Sequence, residues 1–385
     1  MPDDSAQIEA TTPTPAAPAE PAAEDARRRE RQRLFAGCQR FLGGHTPRTP
    51  VEILAEIAAE AGDDEADTYG QGDLIDRFER EIADLLGKEA AVFLPSGTMA
   101  QQIALRVWSE RTHRATFACH PTCHLELHEE KGYERLHGLH ARLVGNPSLP
   151  MTLDDLRGVA EPLCALLIEL PQREIGGTLP SWDELTAQVE WARSRGAAAH
   201  MDGARLWEAA PYYERSYAEI AALFDTVYVS FYKGIGAIAG AALAGPADAI
   251  AEARVWQVRH GGRLVHLYPY VLAARAGLRR ELERFPGYHQ RALRVADALR
   301  AVPGVLLKPN PPQAHMMHVY LRGDRDKLLA ASEDLARTER VCLFRNLFPS
   351  ELPAYAKFEL SIYDAADALT DEEISGYFRH VMEQG

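Results

Sequence analysis

Lys233 is the residue of this chain best placed to act as a covalent nucleophile. It comes two residues after the apolar run TVYVSF (226–231) and precedes a glycine-rich turn. A lysine in a partly desolvated site loses some of its preference for the charged form and becomes a usable amine. Ser230, three residues earlier, is close enough in sequence to reach a phosphate group. A lone lysine after a strand is usually only a solvated residue at the strand end. Whether Lys233 is a nucleophile therefore depends on the other motifs.

Asp202 and Arg205 form a second chemical motif in the segment HMDGAR (200–205). Asp202 ends an apolar run, where an unpaired carboxylate would be costly. A protonated pyridine nitrogen would pair with this carboxylate, and the cationic ring would then serve as an electron sink. Arg205 offers a bidentate grip on a substrate carboxylate. Taken alone, an ion pair between Asp202 and Arg205 explains the motif equally well.

The third motif is Ser96-Gly97-Thr98, between the apolar run AAVFL (90–94) and a helical stretch that begins near Met99. Glycine permits a tight turn, and a helix N-terminus presents free N–H groups to an anion. Two hydroxyls add donors, so the motif predicts a phosphate site. A simple helix N-cap is the competing interpretation.

The elements around these motifs alternate between strands and helices. Apolar runs predict strands at 90–94, 164–170, 197–202 and 226–231, and helical spacing predicts helices at 73–86, 99–108 and 185–196. This alternation is typical of an α/β fold with a mostly parallel sheet covered by helices on both faces. Because ligands bind at the carboxyl ends of such strands, we expect the three motifs to meet in one site.

The pattern changes along the chain and predicts three regions. Residues 1–30 are rich in Ala, Pro and Glu and predict a disordered tail. Residues 31–268 predict an N-terminal segment, with a helix near 51–62, followed by the large domain. Residues 269–385 predict a smaller α+β domain with two long helices, strands near HMMHVYL and KFELSIY, and a closing helix.

Composition excludes several classes of function. A net charge of −14 argues against nucleic acid as the main partner, because phosphate contacts need clustered Lys and Arg. No apolar stretch is long enough to predict a membrane span, and no secretory signal is evident. Five cysteines favour a reducing cytoplasm. The spacing of Cys119, Cys123 and His124 lacks the second cysteine pair of a zinc site, so no metal is predicted.

The segments GKEAAVFLPSGT (87–98), HMDGARLWEAA (200–210) and SFYKGIGAIAGAALAG (230–245) resemble the threonine aldolase and β-eliminating lyase family. The resemblance runs from about Thr68 to Gly262. It implies a fold-type I, or aspartate aminotransferase-like, architecture and pyridoxal 5′-phosphate (PLP) as the cofactor. It also implies a homodimer or homotetramer with sites shared between subunits.

The resemblance assigns roles to the motif residues. Lys233 matches the Schiff-base lysine, Asp202 the aspartate that faces the pyridine nitrogen, and Arg205 the arginine beside it. His124 matches the histidine that stacks on the cofactor ring and transfers protons. The remaining matches are Gly97 and Thr98, in the phosphate turn that also contains Ser96, and Tyr69 and Gly70, in a segment at the subunit interface near the site.

Three departures from the family concern the substrate. The N-terminal Ser-Asp-Thr stretch is replaced by GGHTPRTP (43–50), in which His45 and Arg48 are the substitutes. A second active-site histidine is replaced by Gln172, whose amide cannot act as a base at neutral pH. The arginine expected on the substrate carboxylate is replaced by Lys357, which lacks the planar fork of a guanidinium.

The sequence therefore predicts a PLP-dependent lyase that acts on an amino acid. The preferred reaction is aldol cleavage of a β-hydroxy amino acid, with His124 as acid and base and with Arg205, Gln172, Lys357 and Tyr69 as substrate contacts. Three alternatives remain open from the residues: β-elimination of another amino acid, transamination, and PLP binding with little catalysis.

Overall fold

The structure, a computed structural model, describes residues 21–385, with side chains from residue 26 onward. Residues 1–20 of the predicted tail therefore lie outside the described residues. Residues 21–30 are helical, because the first helix, α1, spans Pro21–Ala36. This differs from the predicted tail, whose end was placed at residue 30.

The other helices are α2 (Pro50–Ala61), α3 (Asp73–Leu85), α4 (Gly97–Thr112), α5 (His124–Leu127), α6 (Gly132–His137), α7 (Leu153–Arg157), α8 (Trp182–Ser194), α9 (Leu206–Tyr213), α10 (Tyr217–Ala222), α11 (Ala247–Arg259), α12 (Tyr268–Glu281), α13 (Phe285–Arg300), α14 (Arg325–Thr338) and α15 (Asp371–Gln384). The strands are β1 (Arg40–Phe41), β2 (Ala90–Leu94), β3 (Thr116–Cys119), β4 (His140–Leu143), β5 (Ala165–Glu169), β6 (Ala198–Gly203), β7 (Thr226–Ser230), β8 (Ala241–Gly245), β9 (Val305–Lys308), β10 (Met316–Arg322), β11 (Val341–Cys342), β12 (Phe348–Pro349) and β13 (Tyr355–Ser361).

The large domain is built on a seven-stranded sheet of order β2-β8-β7-β6-β5-β3-β4. Only β8 runs against the others, since its pairings with β2 and β7 are antiparallel and the remaining pairings are parallel. Every residue of β5, β6 and β7 is buried. Burial on both faces explains why these strands appear in the sequence as continuous apolar runs. The predicted α/β class with a mostly parallel sheet is confirmed.

The smaller C-terminal region contains a four-stranded antiparallel sheet of order β12-β13-β10-β9. Its core is formed with α13, α14 and α15, through residues such as Val295, Leu335 and Phe378. Helix α12 packs instead against α2 and α3 of the large domain.

The first part of the N-terminal segment, α1 and β1, packs against this C-terminal region, whereas the sequence placed the whole segment with the large domain. Strand β1 pairs with β11 in parallel, and Leu42 lies fully buried in the C-terminal core. On α1, Arg31 forms an ion pair with Glu333 of α14 at 2.7 Å. The pairing joins residues about 300 positions apart, so no local pattern could predict it.

Among the helices of residues 21–385, none is both long enough and apolar enough to cross a lipid bilayer.

Candidate active site

Lys233 and Asp202 come together at the carboxyl edge of the large sheet. Asp202 ends β6 in register with Glu169 on β5 and Tyr228 on β7, and Lys233 lies three residues beyond the end of β7. Lys233 is largely buried, and this burial lowers the pKa of its amine. The charge of Arg205 lowers that pKa further, while Asp202 and Glu169 oppose the change. The amine therefore interacts with charged side chains at the carboxyl ends of β5 and β6.

Asp202 is almost fully buried, and within the described part of the chain its carboxylate accepts one hydrogen bond, from the Ala204 N–H at 3.0 Å. Burial raises the pKa of Asp202, and Lys233 and His124 lower it. Asp202 therefore has the capacity to accept a second donor, such as a protonated ring nitrogen.

Arg205 makes neither a hydrogen bond nor an ion pair through its guanidinium within residues 21–385, so the competing interpretation of an Asp202–Arg205 pair does not describe this structure. Burial acts to lower the pKa of Arg205, but the negative charges of Glu359, Glu208 and Glu169, together with Tyr363, outweigh it. An unpaired, mostly buried guanidinium is suited to receive an anionic group of a ligand.

The turn before α4 has the shape of an anion cradle. Ser96 caps the helix by accepting a hydrogen bond from the Met99 N–H at 3.3 Å. A Cβ atom at Gly97 would overlap the hydroxyl of Tyr228 and lie 2.8 Å from that of Tyr232, so a side chain there would displace both rings. The Gly97 N–H points to the Tyr232 hydroxyl at 3.3 Å. The segment that begins at Ser96 can therefore cap α4 and also bind a phosphate.

Ser230 supplies an unused donor at the end of β7. Its hydroxyl is fully buried and has no hydrogen-bond partner among the described residues. Buried hydroxyls are seldom left unpaired, so the position fits a ligand oxygen. Together with the helix N-terminus at Gly97 and Thr98, this hydroxyl makes the site suitable for a phosphate.

His124 lies at the start of α5, beside Asp202. Its Nδ1 is 3.0 Å from a carboxylate oxygen of Glu129, and its charge lowers the pKa of Asp202. Its Nε2 has no partner among the described residues, so this is the ring atom free to exchange a proton.

Gln172 and Lys357 have side-chain partners within the described residues, and Tyr69 has a backbone partner. The Gln172 amide donates to the Thr122 carbonyl and to a Glu169 oxygen, both at 3.2 Å. The Lys357 ammonium pairs with Glu351 at 2.8 Å. Tyr69 lies half-exposed on the surface, and its carbonyl accepts from Arg263 Nε at 2.6 Å. Within the described residues none of the three forms a hydrogen bond or an ion pair with Arg205 or Lys233, and their contacts with a substrate stay predictions.

His45 and Arg48 have different positions. His45 stacks on Tyr363 with ring centroids 4.2 Å apart, and its Nε2 is 2.9 Å from the carbonyl oxygen of Gly234, next to Lys233. Arg48 pairs with Glu56 at 2.9 Å. Of the two predicted substitutes, only His45 reaches the site.

Several site residues were missed by the sequence analysis. Glu169 lies beside Asp202, and burial together with the Asp202 charge raises its pKa to about 7. The carboxylate of Glu208 lies under Gly234 and accepts from the Tyr363 hydroxyl at 2.9 Å. Glu359 of β13 pairs with Arg173 at 2.8 Å. The signal for Glu169 and Glu208 was an acidic residue within an otherwise apolar run.

The chain is similar to known proteins in both sequence and structure. The sequence profile of the family described as beta-eliminating lyase matches residues 46–321. A protein from an Exiguobacterium species, provisionally named an aromatic amino acid beta-eliminating lyase/threonine aldolase, is 39% identical. Its structure has a TM-score of 0.87, covering 92% of this chain and 99% of that one.

Two further relatives are similar. A protein from Listeria monocytogenes, provisionally named an L-allo-threonine aldolase, is 38% identical with a TM-score of 0.87, covering 93% of this chain and 99% of that one. The low specificity L-threonine aldolase of Escherichia coli is 30% identical over 269 residues, which are 67% of this chain and 78% of the relative. Across the curated relatives, the matched segments cover 55–83% of the relative's length.

Proposed function

Since this chain belongs to the beta-eliminating lyase family, we propose that it is a PLP-dependent lyase that cleaves β-hydroxy amino acids between Cα and Cβ. The meeting of Lys233, Asp202 and the Gly97 turn at one sheet edge is the observation that carries the proposal. The relatives named as threonine aldolases support a β-hydroxy amino acid as the substrate class.

The residues present fit the cofactor. The Lys233 amine would hold the cofactor covalently. Asp202, whose carboxylate accepts only the Ala204 N–H among the described residues, would accept a second hydrogen bond from the ring nitrogen. Ser96, Gly97 and Thr98 at the α4 N-terminus, with the unpaired Ser230 hydroxyl, would hold its phosphate. When bound, PLP supplies an electron-accepting ring that stabilises negative charge at Cα.

The chain's own residues would then position the substrate and move its protons. Arg205 binds the α-carboxylate and so orients the Cα–Cβ bond. His124 takes the proton of the β-hydroxyl at Nε2, because Glu129 engages Nδ1. The bond between Cα and Cβ breaks, an aldehyde leaves, and a proton returned to Cα yields glycine.

β-Elimination is the second candidate, and Gln172 is the observation that favours it. An amide at this position cannot take a proton from a β-hydroxyl, and it is already bonded to Thr122 and Glu169. Loss of the Cα proton and of a leaving group from Cβ, followed by hydrolysis, would give a 2-oxo acid and ammonia instead of glycine and an aldehyde.

The proposal includes a homodimer or homotetramer in the cytoplasm. The surface around Tyr69 is apolar, with Val258 and Val265 about half exposed, which supports self-association. All five cysteines are free thiols, which supports a reducing compartment.

The test compares the wild-type protein with Lys233→Ala after purification with PLP. We expect the wild type to absorb in the visible range and, after borohydride reduction, to carry the cofactor mass on the peptide that contains Lys233. With L-threonine, L-allo-threonine and L-serine we expect glycine and an aldehyde. Lys233→Ala should lose the visible band and the activity.

The control is Lys327→Ala, which removes an exposed lysine of α14 and should change neither property. A visible band that survives in Lys233→Ala, or a cofactor mass on another lysine, would refute the assignment. Ammonia with 2-oxobutyrate from the threonines, or with pyruvate from serine, as the only products would replace aldol cleavage with β-elimination.

A further inference from the structure

His315 has two ring nitrogens, and neither has a hydrogen-bond partner in the part of the chain that the structure describes. Only 1% of the residue is exposed. Among the buried histidines described, it is the one for which both nitrogens are buried without a partner. Because buried polar groups are nearly always paired, an imidazole left in this way needs a ligand to explain it.

His315 lies at the site already described. It immediately precedes β10, and its carbonyl is fixed by the Ile362 N–H at 2.8 Å. Its ring lies 4.6 Å from that of Tyr363 between centroids. Burial lowers the pKa of His315 well below its usual value, and the charge of Arg205 lowers it further. The imidazole is therefore neutral, with one N–H donor, and is close enough to Arg205 to respond to the charge of its guanidinium.

The groups that the sequence offered in place of the family's carboxylate contacts are occupied, and so is Arg173. Lys357 pairs with Glu351 and Arg48 pairs with Glu56. Both ring nitrogens of His45 are engaged, Nδ1 by Asp364 at 2.7 Å and Nε2 by the Gly234 carbonyl. Arg173 bridges two carboxylates, those of Glu174 and Glu359.

With the Ser230 hydroxyl assigned to the phosphate and His124 to proton transfer, Arg205 and His315 are the unpaired donors that remain at the site, among the described residues, for a carboxylate. A carboxylate has two oxygens, and one bound between these groups would give each a partner. We propose that His315 donates its N–H to the α-carboxylate of the substrate alongside Arg205, which makes it a specificity-determining residue. This inference rests on the proposed function, since it concerns how that substrate is recognised.

The test uses two amines that differ only by the carboxylate. Glycine and methylamine are titrated separately into the PLP-loaded protein, and binding is followed by the change in visible absorption. A lost hydrogen bond to a charged group corresponds to at least about a tenfold loss of affinity. We therefore expect His315→Leu to bind glycine at least about tenfold more weakly while its methylamine affinity changes less than twofold.

Two matched measurements separate recognition from structure. His315→Asn keeps an N–H donor and should stay within about threefold of the wild type for glycine, a smaller loss than that of a missing hydrogen bond. With a β-hydroxy amino acid, His315→Leu should raise KM and leave kcat nearly unchanged. If the leucine variant unfolds, His315→Phe keeps a ring of similar size without nitrogens and serves instead.

The outcomes are distinct. An unchanged glycine affinity in His315→Leu, or an equal loss for glycine and methylamine, overturns the inference alone. A wild-type protein that responds to neither amine overturns the proposed function, and this inference with it.

Discussion

Two buried carboxylates lie side by side in this site. Glu169 and Asp202 occupy paired register positions on β5 and β6. Two adjacent carboxylates cannot both ionise cheaply away from water. Burial and the Asp202 charge raise the pKa of Glu169 to about 7, whereas Lys233 opposes the rise at Asp202. Glu169 is therefore the member of the pair that keeps a proton as the pH approaches neutrality.

We predict that Glu169→Gln stabilises the cofactor-free protein more at pH 8 than at pH 5. A pKa raised by folding means that the folded state binds the proton more tightly. The contribution of this group is complete below its unfolded value and is lost as the pH rises through about 7. The difference between variant and wild type should grow by at most about 3 kcal/mol, as measured by denaturant unfolding at both pH values.

Glu190→Gln, at an exposed position of α8, is the control and should give equal differences at both pH values. An equal stability change at pH 5 and pH 8 for Glu169→Gln would show that Glu169 is already ionised in the folded protein.

The sequence was informative about residues whose signal is local. Lys233, Asp202 and Gly97 each follow an apolar run, so their positions at strand ends could be predicted. Lys357 and Gln172 were predicted as substrate contacts from the family resemblance, and no local pattern showed that Lys357 would pair with Glu351 or that Gln172 would bond Thr122, 50 residues earlier. The unpaired nitrogens of His315 are a property of packing, which no local pattern contains.

At the scale of elements, the junction between β2 and α4 has the strictest steric requirement. We predict that Gly97→Ala lowers the affinity for PLP at least about tenfold, because the new methyl group must displace the hydroxyls of Tyr228 and Tyr232. Titration of the cofactor-free protein with PLP measures this affinity.

Gly376→Ala is the matched control, because the added methyl group in α15 meets no atom within 4 Å. It should leave PLP affinity unchanged and stabilise the helix by about 0.5–1 kcal/mol. If Gly97→Ala binds PLP as well as the wild type does, the phosphate turn lies elsewhere.

Elements differ in how clearly the sequence shows them. Strands β5, β6 and β7 were predicted because burial on both faces requires unbroken apolar runs. Strand β8 was missed because AALAG contains one large apolar residue and has low intrinsic β-propensity. Strands β3 and β4 were missed because each has only four residues and β4 is largely exposed.

At the scale of the whole molecule, both ends of the chain contribute to one site. His45 from the N-terminal segment reaches the Gly234 carbonyl next to Lys233. The ring of Tyr363, from the C-terminal region, stacks on the ring of His45. The pairing of β1 with β11 holds these segments together. Such contacts between distant parts of the chain depend on the completed fold, so the sequence assigned this segment to the large domain instead.

The surface around Tyr69 leads to a prediction about assembly. Tyr69, Val258 and Val265 are about half exposed; Tyr69 and Val258 line one surface pocket, bordered by Arg263, and the Tyr69 N–H donates to the Val265 carbonyl at 2.8 Å, so the three hydrophobic residues lie in one surface patch. Burial of such a patch against a second copy would favour association, and a charge within it would oppose association. We expect Val258→Glu to lower the molar mass measured by light scattering towards the 42.6 kDa of one chain. Leu306→Glu, on the exposed strand β9, should keep the wild-type mass, and an unchanged mass for Val258→Glu would place the interface on another face.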